Sequence, residues 1–137
     1  NYTYTDAELT ETVEDISAYD GDQLPGSPRN HFSIALDYAE LINGIELDAS
    51  LSFNRVGAIY TALNTDFYNY QKLDAYNTTN ARIGVTLSNW RLGAFITNIE
   101  NTRAITGARS AEWHGEQGRF EYISRPRTLG ISATYQY

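Results

Sequence analysis

The chain has 137 residues, the size of one ordinary domain, and a formal net charge of −7. Such acidity excludes a nucleic-acid partner, because nucleic-acid binders neutralise phosphates with Lys and Arg. The absence of Cys excludes disulfides and thiolate metal sites. No run approaches the ~18 apolar residues of a membrane helix, but a membrane strand needs apolar residues only at alternate positions. The eleven Tyr, five Phe and two Trp favour strands.

Alternation of apolar and polar residues predicts about six strands. The first is the opening segment, where Tyr2 and Tyr4 alternate with Thr3 and Thr5. Five longer stretches follow, each near the ~9–11 residues that a tilted strand needs to cross a bilayer. Their apolar members are Phe32, Ile34, Leu36 and Tyr38; Ile45, Leu47, Ala49, Leu51 and Phe53; Ala81, Ile83, Val85 and Leu87; Trp90, Leu92, Ala94 and Ile96; and Leu129, Ile131, Ala133, Tyr135 and Tyr137.

The positions between these apolar residues carry Ser, Thr, Gly, Asp and Asn, which are too small and too polar to pack a core. This favours membrane strands with an outward apolar face and a polar lumen. A soluble lipid-binding β-barrel or a sandwich would instead bury the apolar face, and that alternative stays open. A small complete outer-membrane barrel, porin-like or adhesive, is a further alternative, but it needs at least about eight strands. The residues expected to face the lumen are Asp37, Glu46, Asp48, Asn54 and Arg82.

The connections alternate between short and long. Short turns are predicted at Asn43-Gly44 and Ser88-Asn89, whereas long polar connections span about 11–29, 61–75 and 103–125. This asymmetry is typical of outer-membrane barrels, in which the short turns are periplasmic and the long loops extracellular. The last strand then runs inward, and Tyr137 lies on the periplasmic side.

Four segments, in order and with fitting spacing, resemble TonB-dependent receptors. The opening segment 1–7 fits an upstream strand, and the Leu-Pro-Gly-Ser-Pro-Arg sequence at 24–29 resembles an element that opens a late strand. Segments 80–84, 89–92 and 97–99 look like the penultimate hairpin of that family. The segment 125–130, followed by Tyr135-Gln136-Tyr137, is similar to its last strand.

The resemblance implies an all-β fold: about six antiparallel transmembrane strands from the C-terminal part of a barrel of about 22 strands. Residues 1–137 would form one segment of that barrel without its plug domain, and a start at Asn1 rather than Met fits an excerpted or processed chain. The implied location is the outer membrane of a Gram-negative bacterium, crossed several times.

The implied function is TonB-dependent uptake of a scarce nutrient, by default a ferric siderophore. The implied partners are the rest of the barrel and its plug, the TonB complex acting through the plug, the barrel-assembly machinery and outer-membrane lipid. No cofactor is expected. Nor is an enzyme expected, because the sequence contains no Ser/His/Asp arrangement, P-loop or dinucleotide fingerprint.

Two groups of residues are candidate sites. Gly130, Tyr135 and Tyr137 resemble the C-terminal signal that the barrel-assembly machinery recognises, although the two Tyr also suit a simple interfacial girdle. A second group of loop aromatics would stack on a flat ligand, or else pack on neighbouring loops; it comprises Phe67, Tyr68, Tyr70 and Trp113.

No metal site is expected. His114 and Glu116 lie in one loop but lack a third ligand. Asp20-Gly21-Asp22 lacks the regular spacing of a calcium loop, and we interpret it as a solvated turn.

Overall fold

A computed structural model shows ten strands and one short 3₁₀ helix, Glu14–Ile16, within the residues that it describes. The model describes residues 1–67, 69–113 and 116–137, with side chains described outside 110–113 and 116–117. The strands are β1 (Tyr2–Tyr4), β2 (Asn30–Ile42), β3 (Ile45–Val56), β4 (Ile59–Tyr60), β5 (Lys72–Leu73), β6 (Tyr76–Leu87), β7 (Trp90–Thr97), β8 (Ile105–Trp113), β9 (Glu116–Ile123) and β10 (Thr128–Tyr135).

Six of these strands form one antiparallel sheet in the order β1-β2-β3-β6-β7-β10. The six predicted strands are therefore confirmed, with ends that shift by a few residues. The turn between β2 and β3 places both Asn43 (φ +53°) and Gly44 (φ +82°) in the left-handed region. Two successive positive φ values match the twist of a two-residue hairpin, which explains this Asn-Gly pair.

The long connections contain structure that the sequence did not predict. Strands β4 and β5 pair over two residues each, and β8 pairs with β9 along almost its whole length. The long polar connections predicted at 61–75 and 103–125 are present, and paired strands lie within or next to them. The β8–β9 hairpin lacks a continuous apolar stripe, so its pairing depends on main-chain hydrogen bonds that leave no periodic signal in the sequence.

The register places all five apolar stripes on the same side of the sheet. Directly opposed residues of paired strands share a face, and Leu36, Leu51, Ala81, Ile96 and Leu129 form one such row across β2, β3, β6, β7 and β10. We call this side the apolar face. The intervening positions form the opposite side, which we call the polar face.

Nothing in the described part of the chain packs on the apolar face. Ile131 is 89% exposed and Leu36 is 61% exposed. The buried apolar residues among those described are Ala18, Ala62 and Leu73, all in the long connections. A sandwich or a soluble barrel with an apolar interior does not fit this single layer. The strands β1 and β10 lie at opposite edges of the sheet, so the small closed barrel does not fit it either.

Candidate functional site

The five residues expected to face a lumen share the polar face. Asp37 and Arg82 lie in one cross-strand row, both opposite Ser50 of the intervening strand. Alternation along β3 places the others on the same side, namely Glu46, Asp48 and Asn54. The sheet thus gathers them on one surface, which is the geometry that a lumen lining requires.

An ion pair crosses the polar face between β3 and β7. Arg91 Nη2 lies 2.7 Å from Asp48 Oδ1, with both side chains partly exposed. The carboxylate lies directly over Gly84, where an added Cβ would be only 2.5 Å from Asp48 Oδ1. Glycine at 84 is therefore what lets Asp48 reach across β6. Arg91 was not among the predicted site residues, and its place between the apolar Trp90 and Leu92 was the available signal.

Two further glycines of the polar face lie under a side chain from the neighbouring strand. Ser132 Oγ lies over Gly93, 2.8 Å from the position of an added Cβ. The Phe95 ring lies over Gly130 so closely that a Cβ there would overlap it. Phe95 is an apolar residue on the polar face, and covering Gly130 accounts for it. Gly130 therefore has a packing role within the sheet, while its role as an assembly signal stays a prediction.

Aromatic rings cluster at the short-turn end of the apolar face. Trp90 and Tyr135 are direct cross-strand partners, with ring centroids 5.1 Å apart. Tyr137 meets Tyr135 edge-to-face at 5.3 Å. Asn89 Nδ2 donates to the carbonyl oxygen of Gln136 at 2.7 Å, which holds the end of the chain against the turn. Amphipathic rings in such a row suit the headgroup level of a membrane.

At the opposite end, the first two long connections are joined to each other. Asn64 Nδ2 donates to the Ser17 carbonyl oxygen at 2.9 Å and to Asp22 Oδ2 at 2.5 Å. The Tyr19 hydroxyl donates to Asp66 Oδ2 at 3.3 Å. Asp22 also accepts from the Tyr19 amide at 2.8 Å, so it closes a local turn as expected.

The loop aromatics divide into described and undescribed members. Tyr70 stacks on Tyr60 with centroids 5.5 Å apart and an interplanar angle of 18°, and its amide donates to the Phe67 carbonyl oxygen at 2.9 Å. Packing on a neighbouring segment, the simpler alternative, thus accounts for Tyr70. Tyr68 and the Trp113 side chain lie outside the described residues, and ligand contact by this group stays a prediction.

Asn98 closes the base of the third connection and is only 5% exposed. Its Nδ2 donates to the carbonyl oxygens of Thr102 at 2.9 Å and Arg125 at 2.8 Å, while its Oδ1 accepts from the Thr102 amide at 3.0 Å. Its own amide donates to Asn80 Oδ1 at 3.0 Å. A buried amide with every polar atom paired is a rigid junction. Asn98 lies in a sequence segment that resembles the family, but its hydrogen bonds were not predicted from the sequence.

Glu100 lies just beyond this junction and accepts from the Thr79 amide at 2.8 Å and from the Thr79 hydroxyl. The hydroxyl hydrogen bond, helped by main-chain amides and by Arg127, holds the pKa of Glu100 below its ordinary value against a smaller upward effect of burial. The carboxylate is therefore charged at neutral pH and ties the loop to β6.

The Leu-Pro-Gly-Ser-Pro-Arg segment ties the first connection to the opening strand. Arg29 pairs with Glu8 and lies 3.6 Å from Asp6 Oδ1. The Thr5 amide donates to the Arg29 carbonyl oxygen at 2.9 Å. Gly26 takes φ +72°, which favours glycine, and its amide donates to the Tyr60 carbonyl oxygen at 2.9 Å.

The described residues contain no group of three or more His, Asp or Glu placed to hold a metal ion. His114 lies outside them. No helix within that described portion is long and apolar enough to cross a membrane.

Comparison with known proteins decides the family. The family model described as "TonB dependent receptor-like, beta-barrel" matches residues 1–99. The chain belongs to the TonB-dependent receptors. Among solved structures, it resembles BauA, the ferric preacinetobactin receptor from Acinetobacter baumannii, with a TM-score of 0.66 and 21% identity. The match covers 98% of this chain and 18% of that one, so the chain spans less than a fifth of the receptor's length. No curated protein matches the chain.

Membership confirms the resemblance and the all-β barrel fold expected from the sequence. TonB-dependent receptors are outer-membrane β-barrels of Gram-negative bacteria that operate with a plug and with TonB, and they are transporters rather than enzymes. The apolar and polar faces of the sheet are those of a barrel wall.

Proposed function

We propose that this chain is the C-terminal part of the barrel of an outer-membrane receptor that imports a ferric siderophore in a TonB-dependent manner. The observation that carries the proposal is an open sheet with an uncovered apolar face and a polar face of charged and small residues. A bilayer covers such a face without a second protein layer.

The same observation supports a proposed direction for the two faces. The apolar face contacts lipid, and the polar face with Asp37, Asp48 and Arg82 borders the lumen. In this arrangement the chain needs further strands, because an unpaired edge within lipid leaves main-chain polar groups without partners. The missing strands and the plug would come from the remainder of the receptor.

The positions of the connections support a proposed orientation in the membrane. The turns at 43–44 and 88–89 lie at one end of the sheet, and the connections 5–29, 57–75 and 98–127 lie at the other. We place the turns in the periplasm and the connections outside the cell. A peptide tag inserted beside Thr65 should then be accessible to antibody on intact cells, whereas a tag between Asn43 and Gly44 should not. The reverse labelling would overturn the orientation.

The most specific part of the proposal is the identity of the substrate, a ferric siderophore. Its support is the receptor character of the family and the ferric siderophore that the similar solved receptor binds, as its name records. A strain that lacks the full receptor should fail to grow on one ferric siderophore as iron source while still using ferrous iron. The opposite result is a strain that grows normally on every ferric siderophore tested and fails to grow on another nutrient. That nutrient would then replace the ferric siderophore as the proposed substrate.

We further propose that Gly130, Tyr135 and Tyr137 are recognised by the barrel-assembly machinery. The outer edge of β10, which pairs with no other strand among the described residues, supports this, because a free edge is a template for strand pairing. Deleting Tyr137 from the full receptor should lower its surface level by about tenfold while changing the stability of the folded protein by less than ~1 kcal/mol. Surface immunolabelling and denaturant unfolding measure the two effects. Equal surface levels would leave Tyr137 as a girdle residue alone.

A further inference from the structure

Glu40 is a carboxylate on the apolar face. It lies opposite Leu47 in a row that continues through Val85, Leu92 and Ala133. The hydroxyl of Tyr38, two residues earlier on the same side of β2, donates to the Glu40 carboxylate. The strand register and the hydrogen bond from Tyr38 both place the Glu40 side chain on the apolar face, which the proposed function assigns to lipid.

An ionisable side chain on a lipid-facing surface requires a partner that neutralises its charge or forms hydrogen bonds with it. Within the described part of the chain, no Arg or Lys forms a salt bridge with Glu40. The next row toward the short turns contains Trp90 and Tyr135, about 7 Å further along the strand. Glu40 itself lies near the end of β2, three residues before Asn43, so it is close to the short-turn end of the apolar face, where lipid headgroups reach and where an unpaired charge is a functional-site candidate.

A groove in the apolar face begins beside Glu40. It has a volume of about 490 Å³, and its walls include Tyr38 and Leu47, the two neighbours of Glu40. The groove exists because Ala49 and Ala94 are small residues on either side of Ile83 in one cross-strand row. Its lining is almost wholly apolar, and its size is in the range of ligand sites.

We propose that Glu40 and this groove bind a phospholipid with a primary ammonium headgroup, phosphatidylethanolamine. The ammonium group donates hydrogen bonds to the Glu40 carboxylate, which the Tyr38 hydroxyl orients, and one acyl chain lies along the groove over Ala49 and Ala94. Charge complementarity selects this lipid over an anionic one such as phosphatidylglycerol. A quaternary choline headgroup has no N–H to donate, so phosphatidylcholine binds less well. The proposal depends on the proposed function, since it needs the apolar face to contact lipid.

The test uses the full receptor, purified in detergent and incubated with equal amounts of isotope-labelled phosphatidylethanolamine, phosphatidylglycerol or phosphatidylcholine. Native mass spectrometry counts the lipids retained. We expect Glu40→Gln to lower retention of phosphatidylethanolamine by about fivefold and to leave phosphatidylglycerol unchanged. The matched control is Glu46→Gln, the same substitution on the polar face near the same turn, which should retain phosphatidylethanolamine normally.

A second variant tests the groove independently of the carboxylate. Ala94→Leu fills the groove and should also lower phosphatidylethanolamine retention, although Glu40 is intact. Heat-modified mobility on gels verifies that each variant is folded. Equal retention in the parent and Glu40→Gln, or equal retention of all three lipids by the parent, would overturn the site. A receptor that does not fractionate with the outer membrane would instead overturn the proposed function, so the two failures are distinguishable.

Discussion

Both faces of the six-stranded sheet arise from the alternation of side chains along the strands, but the side chains of the two faces pack differently. On the apolar face, large side chains project outward, and Ile131 and Leu129 remain 89% and 74% exposed. On the polar face, side chains lie down across the glycines of the next strand, as Asp48 does over Gly84 and Phe95 over Gly130. The apolar face therefore presents large exposed side chains, whereas side chains of the polar face fill the space above glycines.

Each face also contains a residue of the wrong polarity. Glu40 lies among apolar residues, and Phe95 lies among polar ones. Phe95 is explained within the sheet by its contact with Gly130. Among the described residues, Glu40 has only the Tyr38 hydroxyl as a side-chain partner, which is why we look for a further partner outside the protein.

The largest expected difference between the faces comes from adding a charge to each. Leu36→Arg, in the middle of β2 on the apolar face, should destabilise the full receptor in bilayers by about 2–4 kcal/mol. Ser50→Arg, on the polar face beside Asp37 and Arg82, should cost only about 0–1 kcal/mol. Denaturant unfolding in lipid vesicles measures both. Equal costs, or the reverse order, would break the assignment of the faces.

The second-largest effect is expected from the packing of polar-face side chains over glycines. Gly130→Val places methyl groups where the Phe95 ring lies, and such overpacking should destabilise the receptor by about 1–3 kcal/mol. Phe95→Ala in the same chain should recover most of that loss, because the ring is the obstacle. The double variant separates packing from assembly signalling. If it is no more stable than Gly130→Val alone, Gly130 is needed for another reason.

A smaller effect is expected from the ion pair between Asp48 and Arg91. The Asp48 and Arg91 side chains are 27% and 52% exposed, so solvent screens their attraction. A double-mutant cycle with Asp48→Asn and Arg91→Gln should give a coupling of about 0.2–1 kcal/mol that declines as salt is added. A coupling of several kcal/mol, insensitive to salt, would mean that the polar face is dry and tightly covered in the full receptor.

The smallest effect is expected at the end of the apolar face near the long connections. There the amide and hydroxyl of Thr79 donate hydrogen bonds to the Glu100 carboxylate. Because the pKa of Glu100 is lowered in the folded state, its contribution to stability is present above its ordinary value of 4.5 and is lost as the pH falls through the lowered value. Thr79→Val should therefore speed proteolysis of the third connection at pH 7, and the difference from the parent should vanish in acid. A difference that persists in acid would exclude the Glu100 carboxylate as its cause.

Local sequence patterns alone determined the six strands of the large sheet and their two faces. A period of two places every second residue on one side regardless of the partner strand, so the stripes from Phe32 to Tyr137 could be assigned without any long-range information. The Asn43-Gly44 turn was equally local, because its requirement for two positive φ values depends only on the residues in the turn.

The tertiary structure decided everything that depends on a partner distant in sequence. Asn98 closes a loop through Arg125, Arg91 reaches Asp48 across an intervening strand, and Phe95 covers Gly130. None of these contacts has a periodic signature, and the last two are set by the register in which β3, β6, β7 and β10 pair. The register depends on all the cross-strand contacts together. Each contact involves residues of two strands, so the sequence of one strand does not determine it.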